Sequence, residues 1–444
     1  MSHIFGRTTK HDLPVAVSGD GIYIIDENGK RYLDASGGAA VSCLGHSDQM
    51  VKDAVCDQVQ QLAFAHTGFF TSRPAEQLAD VLANAAPGDV NHVYFLSGGS
   101  EAIEAALKMV RQYHLEMGEP KRHRFIARRQ SYHGNTLGAL AVGGNLLRRE
   151  AFQPLLIDTS LIAPSYPYRD QRHGETLDHY GLRIANELEE MILKLGPENV
   201  AGFIAETVGG ATAGVLPPVP GYFKRIRAIC DQYGVVMILD EVMSGMGRTG
   251  KHFACEDDDV VPDIICIAKG LGAGYQPIGA TLVNDNIYHA FKNGSGAFQH
   301  GHTYMGHPTA TAAALAVQRR IIDDGLLEKV CDQGKILMSR LHDKFDDHIH
   351  IGDIRGRGLF IGVELVSDKT TKQPFDVKLG LAAKIKSHAF ERGLICYPGN
   401  GTADGISGDH VLLAPPFIIT DDQLDELIEK LSTAIDAALA DVSL

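Results

Sequence analysis

The middle of the chain alternates two hydrophobic patterns. Continuous apolar runs at 93–96, 125–127, 200–205, 235–239 and 264–268 are rich in β-branched and aromatic residues. Runs without polar alternation predict strands buried on both faces, as in a parallel sheet covered by helices. Between them the apolar positions switch to helical spacing. Over 101–114, Ile103, Ala106, Leu107 and Val110 recur at i, i+3, i+4 and i+7 and predict one buried helix face. The stretches 182–195 and 222–233 read similarly.

The two ends read differently. Residues 21–33 predict a hairpin, with strands at 23–26 and 31–33 and a turn at Glu27-Asn28-Gly29. After about Ala310 a long helical stretch begins. Strand-like segments follow at 359–365 and 411–414, with a helix at 381–392 between them. A last helix is expected from a cap near Thr420 to about Ala440. The pattern predicts an α/β protein with a large, mostly parallel sheet and a smaller α+β part built from both chain ends. The expected division is 1–55 and 326–444 for the small domain and 56–325 for the large one.

Composition narrows the function. The 444 residues are too many for one small core. With 41 Lys and Arg against 55 Asp and Glu, the net charge is −14. No basic face for a nucleic acid backbone is expected from such a balance. No apolar run reaches the roughly 20 residues that cross a bilayer, and the first ten residues lack an apolar signal core. The seven cysteines form no CxxC pair, which fits reduced thiols and a cytoplasmic protein.

The chemistry gathers where the strands end. One run leads into Ser97-Gly98-Gly99-Ser100 at the start of a helix; others lead to Glu206, to Asp240-Glu241 and to Lys269. Ligands of open α/β sheets bind outside the carboxyl ends of the strands. A Gly-rich turn opening a helix offers free N–H groups and a positive dipole end, which suit a phosphate. Pyridoxal phosphate needs this set: a lysine amine for a Schiff base, a carboxylate at the pyridine nitrogen, a phosphate cup and flat contacts for the ring. Lys269 supplies the amine and Asp240 the pyridinium partner. Tyr132 and His133, in Ser131-Tyr132-His133-Gly134, are candidates to cover the ring.

The same stretches carry a family resemblance over nearly the whole chain. Met237-Ile238-Leu239-Asp240-Glu241-Val242, Gly245-Met246-Gly247-Arg248-Thr249-Gly250 and the segment around Lys269 resemble the class III aminotransferases. These are the ω-aminotransferase branch of the fold-type I pyridoxal phosphate enzymes. Supporting motifs are Ser97-Gly98-Gly99-Ser100-Glu101-Ala102, Ala205-Glu206, His302-Thr303-Tyr304 and Gly408-Asp409-His410. The resemblance implies that Lys269 holds the cofactor and shuttles the proton. It implies that Asp240 pairs with the ring nitrogen and Glu206 hydrogen-bonds near the ring hydroxyl. Tyr132 would stack on one ring face and Val242 pack on the other. Gly99 and Ser100 would donate to the phosphate, and Thr303 would reach the phosphate of a second subunit. The implied unit is a homodimer or tetramer with shared sites. The implied reaction moves an amino group from an ω-amino acid or primary amine to a small 2-oxo acid, pyruvate foremost, by a ping-pong route through pyridoxamine phosphate.

Three departures stand out. Thr207 follows the glutamate where many relatives have proline. No arginine precedes Gly408-Asp409-His410, where some ω-aminotransferases place one for the substrate carboxylate. The loop 37–42 lacks the bulky aromatic of several amine-specific relatives, which predicts a roomier pocket mouth. Competing readings are a racemase, epimerase or aminomutase with the same cofactor, a metal-dependent hydrolase using His300, His302 and His307, and a non-enzymatic regulator module. No metal site is expected, because no acidic ligand sits beside those histidines.

Overall fold

The computed structural model describes residues 3–10 and 12–442. The apolar runs form a seven-stranded sheet in the order His92–Leu96, Gly279–Val283, Ile264–Ile267, Val236–Asp240, Val200–Glu206, Arg124–Arg128, Thr159–Ile162. Gly279–Val283 runs antiparallel to both neighbours. The other neighbouring pairs are parallel. The carboxyl ends of the other six strands therefore share one edge. The structure thus has the α/β architecture expected from the pattern.

Side-chain alternation divides the core. Val236 and Ile238 pack with Ile103, Ala106 and Val110 of the helix Gly99–Glu116. Met237 and Leu239 face the other way, against Leu188 and Ile226 from helices Leu177–Leu195 and Tyr222–Tyr233. Asp240 and Glu206 share the parity of Ile238 and Ile204, so both project on the side of the Gly99 helix. The four helix-face residues picked from the sequence, Ile103, Ala106, Leu107 and Val110, are all buried.

The ends fold together. The expected hairpin pairs Tyr23–Asp26 with Arg31–Asp34. Asp26 Oδ1 accepts from the Asn28 and Lys30 N–H groups across its turn. A strand that the sequence pattern does not predict, Ala16–Asp20, extends it on one side. On the other side Leu394–Ile395 pairs with Leu33 and Asp34 in parallel, tying the two chain ends into one sheet. A second antiparallel sheet has the order Ile351–Arg357, Phe360–Leu365, Asp409–Leu413, Tyr397–Asn400. The long stretch after Ala310 is two helices, Pro308–Asp323 and Leu326–Phe345, separated at Gly325 with φ 64°. The last helix, Asp421–Ala440, starts at Thr420, whose hydroxyl accepts from Gln423 N while Gln423 Oε1 accepts from Thr420 N. Leu337, Ile385, Leu424 and Leu431 join Ile22 and Leu33 in one core.

Candidate active site

Register brings the acids together. Glu206 lies directly beside Asp240 in the parallel ladder, and Asp240 beside Cys266. Lys269 follows three residues on, with φ 46°. That left-handed conformation is uncommon outside glycine and costs energy. These groups open onto a cavity of ≈ 420 Å³. Its lining includes Gly99, Ser100, Tyr132, His133, Glu206, Asp240, Val242 and Lys269. The sequence-derived site residues other than Thr303 thus meet in one place.

Both carboxylates are held by hydrogen bonds. Asp240 Oδ2 lies 2.7 Å from His133 Nδ1, and its Oδ1 accepts from Val242 N at 2.9 Å. His133 therefore sits beside the carboxylate as well as on the cavity wall. Glu206 Oε2 accepts from Tyr132 N at 3.2 Å, and Oε1 from Gly210 N at 3.0 Å. Burial raises the Glu206 carboxyl above its ordinary range, against the pull of His133 and Arg128. Lys269 is partly exposed where it lines the cavity. Burial nevertheless brings its amine down to about 8, although Asp240 and Glu206 oppose the fall. A lysine so placed reaches its neutral form about one unit above neutral pH, far below an ordinary lysine, and can act as nucleophile or base.

The phosphate end is a helix start without a side-chain cap, at Gly98. A Cβ built at Gly99 would lie 2.8 Å from Val242 Cγ1, so only glycine lets the backbone come this close to the wall. The arrangement fits pyridoxal phosphate: an uncapped helix N-terminus, a buried carboxylate on the facing strand, and a lysine of lowered pKa between them.

The departures have structural readings. Thr207 N donates to the Asp240 carbonyl at 3.1 Å, a bond proline lacks. Its hydroxyl donates to Glu241 at 3.0 Å. Glu241 is buried, accepts from Ala254 and Cys255 N–H groups, and is pushed by burial up to about 7. Arg248 is buried and donates to the Leu359 and Pro415 carbonyls at 3.0 and 2.6 Å. The glycine-rich motif around it therefore straps the large sheet to the C-terminal part. His410 is also structural: it is buried, with Nδ1 2.6 Å from Thr402 Oγ1. From the loop 37–42, Val41 lines the cavity.

Thr303 stays outside the cavity and is exposed. Its neighbours Tyr304 and His307 line a second cavity of ≈ 270 Å³ that shares Ser97 and Gln276 with the first. His300 Nε2 lies 3.1 Å from His302 Nε2, while His307 packs near Phe64 and Tyr304. Among the described residues no three His, Cys, Asp or Glu side chains are grouped to hold a metal ion. Sequence reasoning missed Met243 and Gln276-Pro277-Ile278 on the wall. It also missed Arg148, whose guanidinium lies 4.5 Å from the centre of the Tyr132 ring. The one signal for Gln276 to Ile278 is their place after the glycines that follow Lys269.

Comparison with known proteins agrees with this geometry. Residues 5–435 match the family Aminotransferase class-III. The chain is 46% identical over 440 residues to an uncharacterized aminotransferase of Schizosaccharomyces pombe, covering 99% of this chain and 96% of that one. It is 35% identical to the putrescine–pyruvate aminotransferase of Pseudomonas aeruginosa, covering 96% and 91%. The PMP-bound crystal structure of an aminotransferase from Vibrio fluvialis superposes with a TM-score of 0.90 at 32% identity, covering 99% and 97%.

Proposed function

This chain belongs to the class III aminotransferases, fold-type I pyridoxal phosphate enzymes that act as transaminases, and we propose that Lys269, Asp240 and Glu206 are its catalytic residues. The observation that carries the assignment is their convergence with the uncapped Gly99 helix on one cavity. Pyridoxal phosphate, when bound, supplies an electron sink for the carbon that bears the amino group. Lys269 would hold the cofactor, and its Nζ would move the proton to and from that carbon. Asp240 keeps a proton on the ring nitrogen, and His133 orients it through the 2.7 Å contact. Glu206, fixed by two backbone N–H groups, positions the ring hydroxyl side. Tyr132 would stack on one face of the ring and the branched Val242 side chain would pack on the other. Gly99 and Ser100 N–H groups hold the phosphate, and Thr303 of a partner copy completes that cup.

The donor in this reading is an ω-amino acid or primary amine and the acceptor is pyruvate. Similarity to the putrescine–pyruvate aminotransferase supports that pairing, and Val41 in place of a bulky aromatic on the cavity wall is consistent with a larger amine. The working unit is a homodimer with shared sites. The exposed position of Thr303 beside a cavity adjoining the first supports this. The division at 55 and 325 is proposed for the domains. A cytoplasmic location is proposed from seven cysteines without a disulfide. Among the described residues no helix is long and apolar enough to cross a membrane.

The test is a two-step reaction of the holoenzyme. An amine donor alone should give its carbonyl product in amounts equal to enzyme sites, and pyruvate added afterwards should be converted to alanine. Loss of optical activity of a chiral amino acid with no carbonyl product would replace this reading with a racemase.

A further inference from the structure

An acceptor such as pyruvate carries a carboxylate, and the cavity that must receive it is lined by Asp240 and Glu206. A second cation beside Lys269 would offset the repulsion between those carboxylates and the substrate's. Of the cations around the loop that carries Tyr132, Arg129 is exposed with its charge acting on Asp170, and three others are committed. Arg128 is buried and donates to the Glu206 carbonyl. Arg149 is buried and donates to the Ala141 and Gly143 carbonyls. Arg248 is spent on the C-terminal part.

Arg148 differs. It is exposed and makes no hydrogen bond or ion pair through its guanidinium among the described residues. The group lies over Tyr132, 4.5 Å from the ring centre, and Tyr132 lines the cavity. Its backbone is fixed, since Arg148 N donates to the capping Asn145 Oδ1 at 3.2 Å. The neighbouring Leu146 packs near Gly405, so the loop 401–408 lies alongside. The acid of that loop, Asp404, accepts from Ile406 and Ser407 N–H groups in its own turn. The positive charge of Arg148 also reaches the cavity interior, where it helps to lower the Lys269 pKa.

Resting on the transaminase reading above, we propose that Arg148 is a specificity-determining residue that binds the carboxylate of the 2-oxo acid acceptor at the cavity mouth. A guanidinium held over an aromatic ring retains its edge N–H donors, and these match a carboxylate in paired geometry. The site therefore favours substrates with a carboxylate next to the reacting carbon over acceptors that lack one.

The test compares two acceptors on the donor-treated holoenzyme: pyruvate, and butanal, which has no carboxylate. Arg148→Gln is expected to lower kcat/KM for pyruvate by at least about tenfold, the scale of a lost charge-assisted hydrogen bond, mainly through KM. The pyruvate-to-butanal ratio should fall by the same factor, and Arg148→Lys should recover part of it. An unaltered ratio, whether both acceptors are spared or both suffer equally, overturns the assignment and leaves Arg148 as packing for Tyr132. If the unsubstituted enzyme transfers to neither acceptor, the pyruvate reading above fails, and this assignment with it; donor-treated enzyme that forms no carbonyl product fails the transaminase reading instead.

Discussion

At the residue scale, the site works by setting buried charges against one another. Lys269 has an amine brought down to about 8 by burial. Its folded pKa lies below the ordinary lysine value, so the neutral amine gains as pH rises through about 8. Cofactor-free enzyme should therefore take up pyridoxal phosphate faster as pH rises toward 8 and level off above it, as followed by stopped-flow absorbance. A rate that does not change from pH 6 to 9 would mean that the amine titrates elsewhere. Asp240→Asn should preserve the fold but lower kcat by about 10²-fold or more, because in the proposed role the amide would no longer keep a proton on the ring nitrogen. Steady-state kinetics on cofactor-saturated protein checks this. Lys269, Asp240 and Glu206 were legible in the sequence because each ends an apolar strand, where side chains emerge at the ligand edge of the sheet. The pairing of His133 with Asp240 was not, since a register between a loop and a strand leaves no trace in either. Nor was Arg148, an exposed arginine on the four-residue helix Leu146–Arg149, too short for any periodicity.

At the element scale, the helix Gly99–Glu116 does two jobs. Its buried face packs the sheet, and its open first turn faces the cavity. Gly99→Ala puts a methyl 2.8 Å from Val242 Cγ1, closer than packed carbons approach. We expect it to raise the dissociation constant for pyridoxal phosphate about tenfold, from a strain of roughly 1–3 kcal/mol, while circular dichroism shows the helix content retained. Unchanged cofactor affinity would remove the first turn from the phosphate site. The strands with continuous β-branched runs were readable. Thr159–Ile162 was not, as an edge strand with two polar residues in four. Tyr397–Asn400 contains proline and glycine, both depleted in strands, and forms only because Asp409–Leu413 supplies its ladder. Gly279–Val283 is short and opens on a glycine, so its antiparallel insertion between parallel neighbours follows from tertiary pairing alone.

For the whole molecule, the joining of the two chain ends was readable in outline, because both ends switch from the βα rhythm to hairpin and amphipathic helix patterns. The contact that makes it real, Leu394 beside Leu33, spans most of the chain and has no local signature. Large apolar side chains remain uncovered on the single chain: Phe69 is 83% and Phe70 69% exposed, near the region of Thr303. Such side chains would suit the partner contact proposed above if they form one contiguous patch. Sedimentation at micromolar concentration should give a species of at least twice the chain mass, and Thr303→Ala should weaken cofactor retention without dissociating it. A fully active monomer would sink the shared-site account. The most direct test of the central claim is borohydride reduction of the holoenzyme, followed by proteolysis and mass spectrometry. The account predicts a reduced pyridoxal phosphate adduct on the peptide containing Lys269 and on no other lysine. An adduct on a different lysine, or none on cofactor-saturated protein, would contradict it.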